Sequence, residues 1–221
     1  MASPSWLPRL SKPTTLILIR HGETEWNREG RIQGHTDSAL TAAGIAQAEA
    51  CAARLGDDHD NHAIDHIIAS DLGRTRHTAA LLNSRLQQPI RVDARLRERS
   101  FGIAEGSTYS ELDSQYPEMF SRLREVDPHY AIEGAESRAQ FHQRVRESIH
   151  AIAAQHAGQR ILLVTHGGVL GAIYRWLNNL SIASPHKIDI PNVGYNRISM
   201  VGDEWRVEVW GDVSHLVNSA A

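Results

Sequence analysis

Strand-sized apolar runs alternate along this chain with longer segments of helical periodicity, and this alternation constrains the fold more than any other feature. Residues 15–20 and 160–165 are continuous apolar runs, which is the pattern of a parallel strand buried on both faces. Further strands are predicted over 64–69, 90–93 and within about 187–210. Helices are predicted over 42–55, about 70–87, 108–114, 117–125, about 135–156 and 167–180. The chain is therefore expected to form an α/β fold whose largely parallel sheet is covered by helices.

Capping residues and glycines set several of these boundaries. Thr41 is expected to cap the helix over 42–55, and a polar loop is expected over 56–61. Ser70 and Asp71 are expected to cap the next helix. Gly158 is expected to end the long helix that begins near residue 135.

Composition excludes several classes of protein. The 221 residues, 41% of them hydrophobic, suffice for one domain with a sizeable core, and they exclude wholesale disorder. A net charge of −3 argues against nucleic-acid and membrane-surface binding, since both need a basic excess. Cys51 is the single cysteine, so no intrachain disulfide is available. The proline-containing stretch 1–13 lacks the apolar core of a signal peptide, and we expect a flexible leader on a cytoplasmic protein.

Histidine and arginine residues follow the predicted strands. The first strand leads through Arg20 into His21, and the fourth leads into His166, each histidine being followed by glycine. The second and third strands lead within a few residues to Arg74 and Glu98. Each of these residues alone is more simply structural, but ligands of such sheets bind beyond the carboxyl ends of the strands. Two guanidinium groups at one edge favour a phosphate ligand.

Other ligand motifs fail at particular positions. A dinucleotide-binding loop at Gly167, Gly168 and Gly171 would need glycine where His166 stands, and no P-loop pattern occurs. The acidic and histidine-rich stretch 57–62 lacks the ligand spacing of zinc or calcium sites. It is interpreted as a solvated loop, so the sequence predicts no metal site.

The segment 20–27, Arg-His-Gly-Glu-Thr-Glu-Trp-Asn, resembles the signature of the histidine phosphatase superfamily, in its phosphoglycerate mutase-like branch. The resemblance covers about residues 14–180 in family order, and residues 211–216 resemble the bacterial subgroup of probable phosphoglycerate mutases. Its further motifs are residues 31–34, 37–41, 44–48, 70–76, 96–102, 134–137 and 165–168. Two positions differ from the family: Ala104 stands where tryptophan is common, and Ala135 stands where glycine is common. Both differences concern substrate contacts.

The resemblance implies a fold and a site. The fold would be a three-layer α/β/α sandwich with a mostly parallel central sheet, formed by one domain over 14–221 with a small helical cap insertion at about 103–135. His21 would be the nucleophile that forms a phosphohistidine, and Glu98 would be the proton donor and acceptor. The catalytic set would be His21, Glu98, His166, Arg20 and Arg74. The phosphate and substrate contacts would be Arg20, Thr24, Asn27, Gln33, Gly34, Arg74 and Gly167, without metal.

Three functions follow from this resemblance. The first is a metal-independent phosphatase of a small phosphorylated metabolite that needs no cofactor. The second is a phosphoglycerate mutase, which alone would need 2,3-bisphosphoglycerate. The third is an inactive binding module, which would have no need for His21, Glu98 and His166 together. The predicted cap carries seven acidic and two basic residues, so it repels a bisphosphorylated acid. Ala104 would leave the pocket less shielded from water, and both points favour the phosphatase. The sequence predicts no nucleic-acid or membrane partner and leaves a homodimer open.

Overall fold

A computed structural model describes residues 12–61, 63–124, 127–183 and 188–217, so most of the expected leader and the cap residue Glu125 lie outside it. Its six-stranded sheet has the order β3-β2-β4-β1-β5-β6. Strands β1 to β4 are parallel, whereas β5 and β6 join antiparallel. Their bounds are β1 Thr14–Arg20, β2 His66–Ala69, β3 Ile90–Val92, β4 Arg160–Thr165, β5 Tyr195–Val201 and β6 Glu204–Asp212. The predicted α/β class with a mostly parallel sheet is confirmed.

Helices cover both faces of this sheet. They are α1 Glu25–Glu29, α2 Ala42–Asn61, α3 Gly73–Leu82, α4 Tyr109–Gln115, α5 Pro117–Arg124, α6 Arg138–Gln155, α7 Gly167–Leu177 and α8 Ser214–Val217. Leu16 and Leu18 of β1 pack in one core cluster with α6 and α7, while Ile17 and Ile19 pack in a second cluster with α2 and α3. Each of these fully buried side chains contributes about 1.5–3 kcal/mol to folding. Burial on both faces is why the run is continuously apolar.

Several predicted boundaries are wrong. The loop expected over 56–61 is the last part of α2, which continues through Gly56 to Asn61. Helix α3 ends at Leu82 rather than near 87, and its first amides are capped by Asp37. Asp71, the expected cap, instead pairs with Arg97. Thr41 does cap α2, since its hydroxyl accepts from the amide of Gly44.

The segment after β3 builds a third, smaller apolar cluster. Helices α4 and α5 follow a 3₁₀ turn at Gly102–Ala104, close to the predicted positions of the two short helices. The buried members of this cluster are Ile32, Ala104, Leu112 and Ile132. Ile32 belongs to the loop after α1, so this cluster attaches the segment to one side of the site at the strand ends. Within the described residues, no helix is both long and apolar enough to cross a membrane.

Candidate active site

The register of the two central strands brings both histidines together. Arg20 at the end of β1 pairs with Thr165 at the end of β4, so the next residues, His21 and His166, leave the sheet side by side. Their ring centroids are 5.4 Å apart, at an interplanar angle of 62°. Both side chains are buried. The parallel pairing therefore produces the predicted histidine pair.

His21 is held as a neutral ring with its proton on one defined nitrogen. Its Nδ1 lies 2.8 Å from the carbonyl oxygen of Gly22, and because a carbonyl only accepts, Nδ1 carries the proton and Nε2 keeps its lone pair. Burial, followed by the charges of Arg20 and Arg74, lowers the pKa of His21 well below its usual value. Nε2 is therefore available as a nucleophile near neutral pH.

His166 has one nitrogen bound and one without a partner. Its Nε2 lies 2.9 Å from Ser70 Oγ, whereas the buried Nδ1 has no hydrogen-bond partner among the described residues. Burial, and then the charge of Arg74, lowers the pKa of His166 well below its usual value. A bound anion would favour the charged ring.

Arg20 and Arg74 are fixed by main-chain carbonyl groups. Arg20 Nη1 donates to the Ile190 carbonyl at 2.7 Å, and Arg74 Nη2 donates to the Gly34 carbonyl at 2.7 Å. Arg74 also forms an ion pair of 3.0 Å with Asp37. Burial lowers the pKa of both arginines from the usual value, but guanidinium groups stay charged at neutral pH. The buried Nε atoms of both have no partner within the described residues, so two donors remain for a ligand.

The carboxylate of Glu98 faces the same site. Glu98 Oε2 accepts from the Gly168 amide at 2.8 Å, and Oε1 accepts from the Arg99 amide at 2.8 Å. A Cβ atom on Gly168 would lie 2.0 Å from Glu98 Oε1, so only glycine permits this approach. The first turn of α7 therefore holds the carboxylate beside the two histidines.

A cavity of about 200 Å³ joins Arg20, His21, Arg74 and Glu98, whereas the buried His166 is not among its described lining residues. It is lined by Arg20, His21, Asn27, Gly30, Arg31, Ile32, Gln33, Gly34, Arg74, Glu98, Phe101, Tyr109 and Gly167. The predicted residues Asn27, Gln33, Gly34 and Gly167 are thus at the site. Thr24 is not: it is fully buried, and its hydroxyl caps α1 by accepting from the Asn27 amide. Thr24 orients Asn27 instead of lining the cavity.

The cap residues do not act as the sequence predicts. Ala104 is buried in the apolar cluster and does not border the cavity, so its small size exposes nothing there. Glu105 accepts hydrogen bonds from the amides of His35, Thr36 and Phe101. Burial would raise the pKa of Glu105, but these bonds outweigh burial and lower it. Tyr109 is the one residue of 103–135 among the described cavity residues. The acidic residues of the cap therefore do not line the described cavity.

The loop before β5 supplies residues that sequence analysis misses. Asn192 Nδ2 donates to the His21 carbonyl at 2.9 Å, and the Val193 amide donates to the Arg20 carbonyl at 3.1 Å. Val193 is buried with a φ of 55°, a strained conformation for a β-branched residue. No motif marks these residues; only the antiparallel pairing of β5 with β1 brings them to the site.

The described residues contain no group of three histidine, cysteine, aspartate or glutamate side chains arranged to hold a metal ion. In the acidic stretch 57–62, the side chains of 58–62 lie outside the described part of the chain.

Comparison with known proteins gives consistent matches. The family model of the histidine phosphatase superfamily (branch 1) matches residues 16–213. A metal-independent phosphoserine phosphatase of Arabidopsis thaliana is 36% identical over 208 residues, which cover 93% of this chain and 84% of the relative. A probable phosphoglycerate mutase, GpmB, of Proteus mirabilis is 34% identical over 210 residues, which cover 93% and 96%. The structure of a mycobacterial glucosyl-3-phosphoglycerate phosphatase with VO3 has a TM-score of 0.77 and 32% identity, covering 90% and 99%.

Proposed function

The chain belongs to the histidine phosphatase superfamily and is an enzyme of that family, and from this premise we propose that it hydrolyses a small phosphomonoester through a phosphohistidine on His21. One observation carries the proposal. The unprotonated Nε2 of His21 shares a small cavity with Arg20 and Arg74, whose Nε donors have no partner within the described residues. A dianionic phosphoryl group supplies acceptors for both donors.

The first step transfers the phosphoryl group to the enzyme. His21 Nε2 attacks phosphorus, the bond from phosphorus to the ester oxygen breaks, and Glu98, as the general acid, gives a proton to that oxygen. Arg20 and Arg74 stabilise the charge on the other phosphoryl oxygens, and protonated His166 adds a third donor through Nδ1. Asn27, Gln33, Gly34 and Gly167 would complete these contacts. The arginines supply the positive charge that a metal provides elsewhere.

The second step releases phosphate. Water attacks phosphorus opposite His21 Nε2, the phosphorus–nitrogen bond breaks, and the Glu98 carboxylate takes the proton of the water. The proton that Glu98 gave in the first step is returned to it and His21 is neutral again, so no cofactor is consumed.

The charges around the cavity support a phosphatase over a mutase. Arg31 is the third cation among the described cavity residues, and it is already bound to Glu29 and Glu111, each at 2.8 Å. A second phosphate or a carboxylate of a bisphosphorylated acid would have to displace these partners. The small cavity, bordered by the cap residue Tyr109, favours a small phosphorylated metabolite as the substrate.

The test compares phosphate release with isomerisation. Purified enzyme is assayed with 3-phosphoglycerate and 2,3-bisphosphoglycerate, and separately with small phosphomonoesters such as phosphoserine. We expect faster phosphate release from a monoester than formation of 2-phosphoglycerate, and acid-labile, base-stable label on the wild type but not on His21→Ala. Isomerisation that is faster than any hydrolysis would make the chain a mutase, and label on another residue would overturn the mechanism.

A further inference from the structure

Helix α6 reaches into the segment that carries Glu98. The guanidinium of Arg144, on the second turn of this helix, donates to three main-chain carbonyl groups of this segment. Nη1 lies 2.7 Å from the carbonyl oxygen of Arg95 and 3.0 Å from that of Arg97, and Nη2 lies 3.2 Å from that of Glu98. One side chain thus holds the main chain on both sides of residue 97.

Glu136 fixes the guanidinium in this position. Arg144 Nε and Nη2 donate to the two carboxylate oxygens of Glu136 at 2.7 and 2.6 Å, a bidentate pair. The same carboxylate accepts from the Ser100 amide at 3.1 Å. Burial would raise the pKa of Glu136, but the hydrogen bonds from Arg144 and from Ser100 outweigh it and lower the pKa. The pair therefore stays ionised at neutral pH and bridges residues 95–100.

The main chain of this segment needs such support. A 3₁₀ turn ends at Leu96, and no helix or strand follows before Gly102. The carbonyl oxygen of Glu98 accepts from Arg144 and also from His35 Nε2 at 2.9 Å. Because the amide of Arg99 in turn binds the Glu98 carboxylate, a shift of this peptide would move the carboxylate itself.

We propose that Arg144, held by Glu136, is a positioning residue that keeps the Glu98 carboxyl in line with the leaving oxygen. This inference rests on the proposed phosphatase mechanism. Arg144 is not among the described residues that line the cavity, so it acts through the main chain that carries Glu98. Proton donation matters for an alkoxide leaving group, which is strongly basic, and hardly at all for a nitrophenolate, which leaves without a proton. The decrease in kcat/KM when Arg144 is replaced should therefore depend on the leaving group.

The experiment measures kcat/KM for glycerol 3-phosphate and for 2,4-dinitrophenyl phosphate, because this constant reports transfer to His21. For Arg144→Gln we expect a loss of about 100-fold on the alkyl ester, within the usual range for general acid catalysis, and a loss below about threefold on the aryl ester. Arg144→Lys should lose less, and Glu98→Gln should show the same selectivity as Arg144→Gln. The matched control is Arg146→Gln, an exposed arginine two residues further along α6.

The ratio of the two constants within one preparation does not depend on the fraction of folded protein. Equal losses on both esters would show a merely structural role and overturn the inference, as would no loss on either. If the wild type releases no phosphate from either ester and His21 takes up no label, the proposed function itself fails. If His21 is labelled and Arg144→Gln shows no selectivity, only the positioning role fails.

Discussion

Glu98 and Gly168 are joined by a hydrogen bond of 2.8 Å from the glycine amide to the carboxylate, across 70 residues of chain. This contact leaves no room for a side chain, since a Cβ atom at 168 would lie 2.0 Å from the other carboxylate oxygen. The first turn of α7 thus sets the position of the proposed proton donor.

Gly168→Ala should therefore reduce activity without unfolding the protein. The methyl group displaces Glu98, so kcat on an alkyl phosphate should fall about 100-fold. The melting temperature should stay close to that of the wild type, because alanine favours helices more than glycine does. Gly171→Ala, on the same helix, is the control: its Cβ would lie 3.4 Å from Ile190, an ordinary contact. Unchanged kcat in Gly168→Ala would contradict the position assigned to Glu98.

Removal of metal ions should leave activity unchanged. Arg20 and Arg74 each retain a buried donor without a partner in the described part of the chain, and their charge substitutes for a cation on the phosphoryl group. Enzyme dialysed against excess EDTA should keep the kcat of untreated enzyme. A loss that Mg²⁺ or Zn²⁺ restores would show that the arginines do not suffice.

Binding of an anion should bring one proton into the site. The pKa of His166 lies well below its usual value in the free enzyme, chiefly because of burial and then Arg74, so the ring is neutral at pH 7. A dianion beside Nδ1 favours the charged ring and raises that pKa. Calorimetry with sulfate, which does not itself titrate near pH 7, should give a heat that varies with the ionisation enthalpy of the buffer, corresponding to uptake of up to about one proton. A heat that is the same in every buffer would exclude protonation of His166.

Stability should fall with acidification through a group outside the site. Burial, followed by the charges of Arg175, Arg138 and Arg99, lowers the pKa of His142 from 6.5 to about 4. Between these values the unfolded chain binds more protons than the folded one, so the free energy of unfolding decreases as pH falls from about 6.5 towards 4 and is independent of this group above 6.5. The free energy of unfolding is measured by urea titration at several pH values in this range. Its dependence on pH should be weaker for His142→Gln than for the wild type. The exposed His77→Gln controls for the loss of one histidine, and equal slopes for His142→Gln and the wild type would refute the assignment.

The sequence predicts the residues that local patterns mark and misses those that only distant pairing brings in. His21 and His166 are identifiable because each follows an apolar strand, and the carboxyl ends of parallel strands lie at one edge of the sheet. Thr24 stands within the same motif, but its hydroxyl caps α1, a role that the motif alone does not separate from ligand binding.

Asn192 shows the other limit. It lies 171 residues from its partner His21, and it reaches the site through the pairing of β5 with β1, which no spacing along the chain reveals. Glu105 is one of the acidic cap residues, yet besides the nearby Phe101 amide it accepts from the amides of His35 and Thr36, which are 70 and 69 residues away. Residues that act through such long-range hydrogen bonds can be identified only when the three-dimensional structure is known.

The part of the chain that forms the parallel strands does not contain all the groups that orient the active-site residues, because some of them lie in the loop before β5. A fragment that ends in the turn after α7, near residue 181, would contain both histidines, Glu98 and the two arginines proposed to bind phosphate. It would lack the Ile190 carbonyl that holds Arg20 and the Asn192 amide that holds the main chain of His21. Division of the chain at this turn would therefore separate the reactive groups from the groups that orient them. Two such pieces would regain turnover only on reassociation, which is the property required of a split-enzyme reporter.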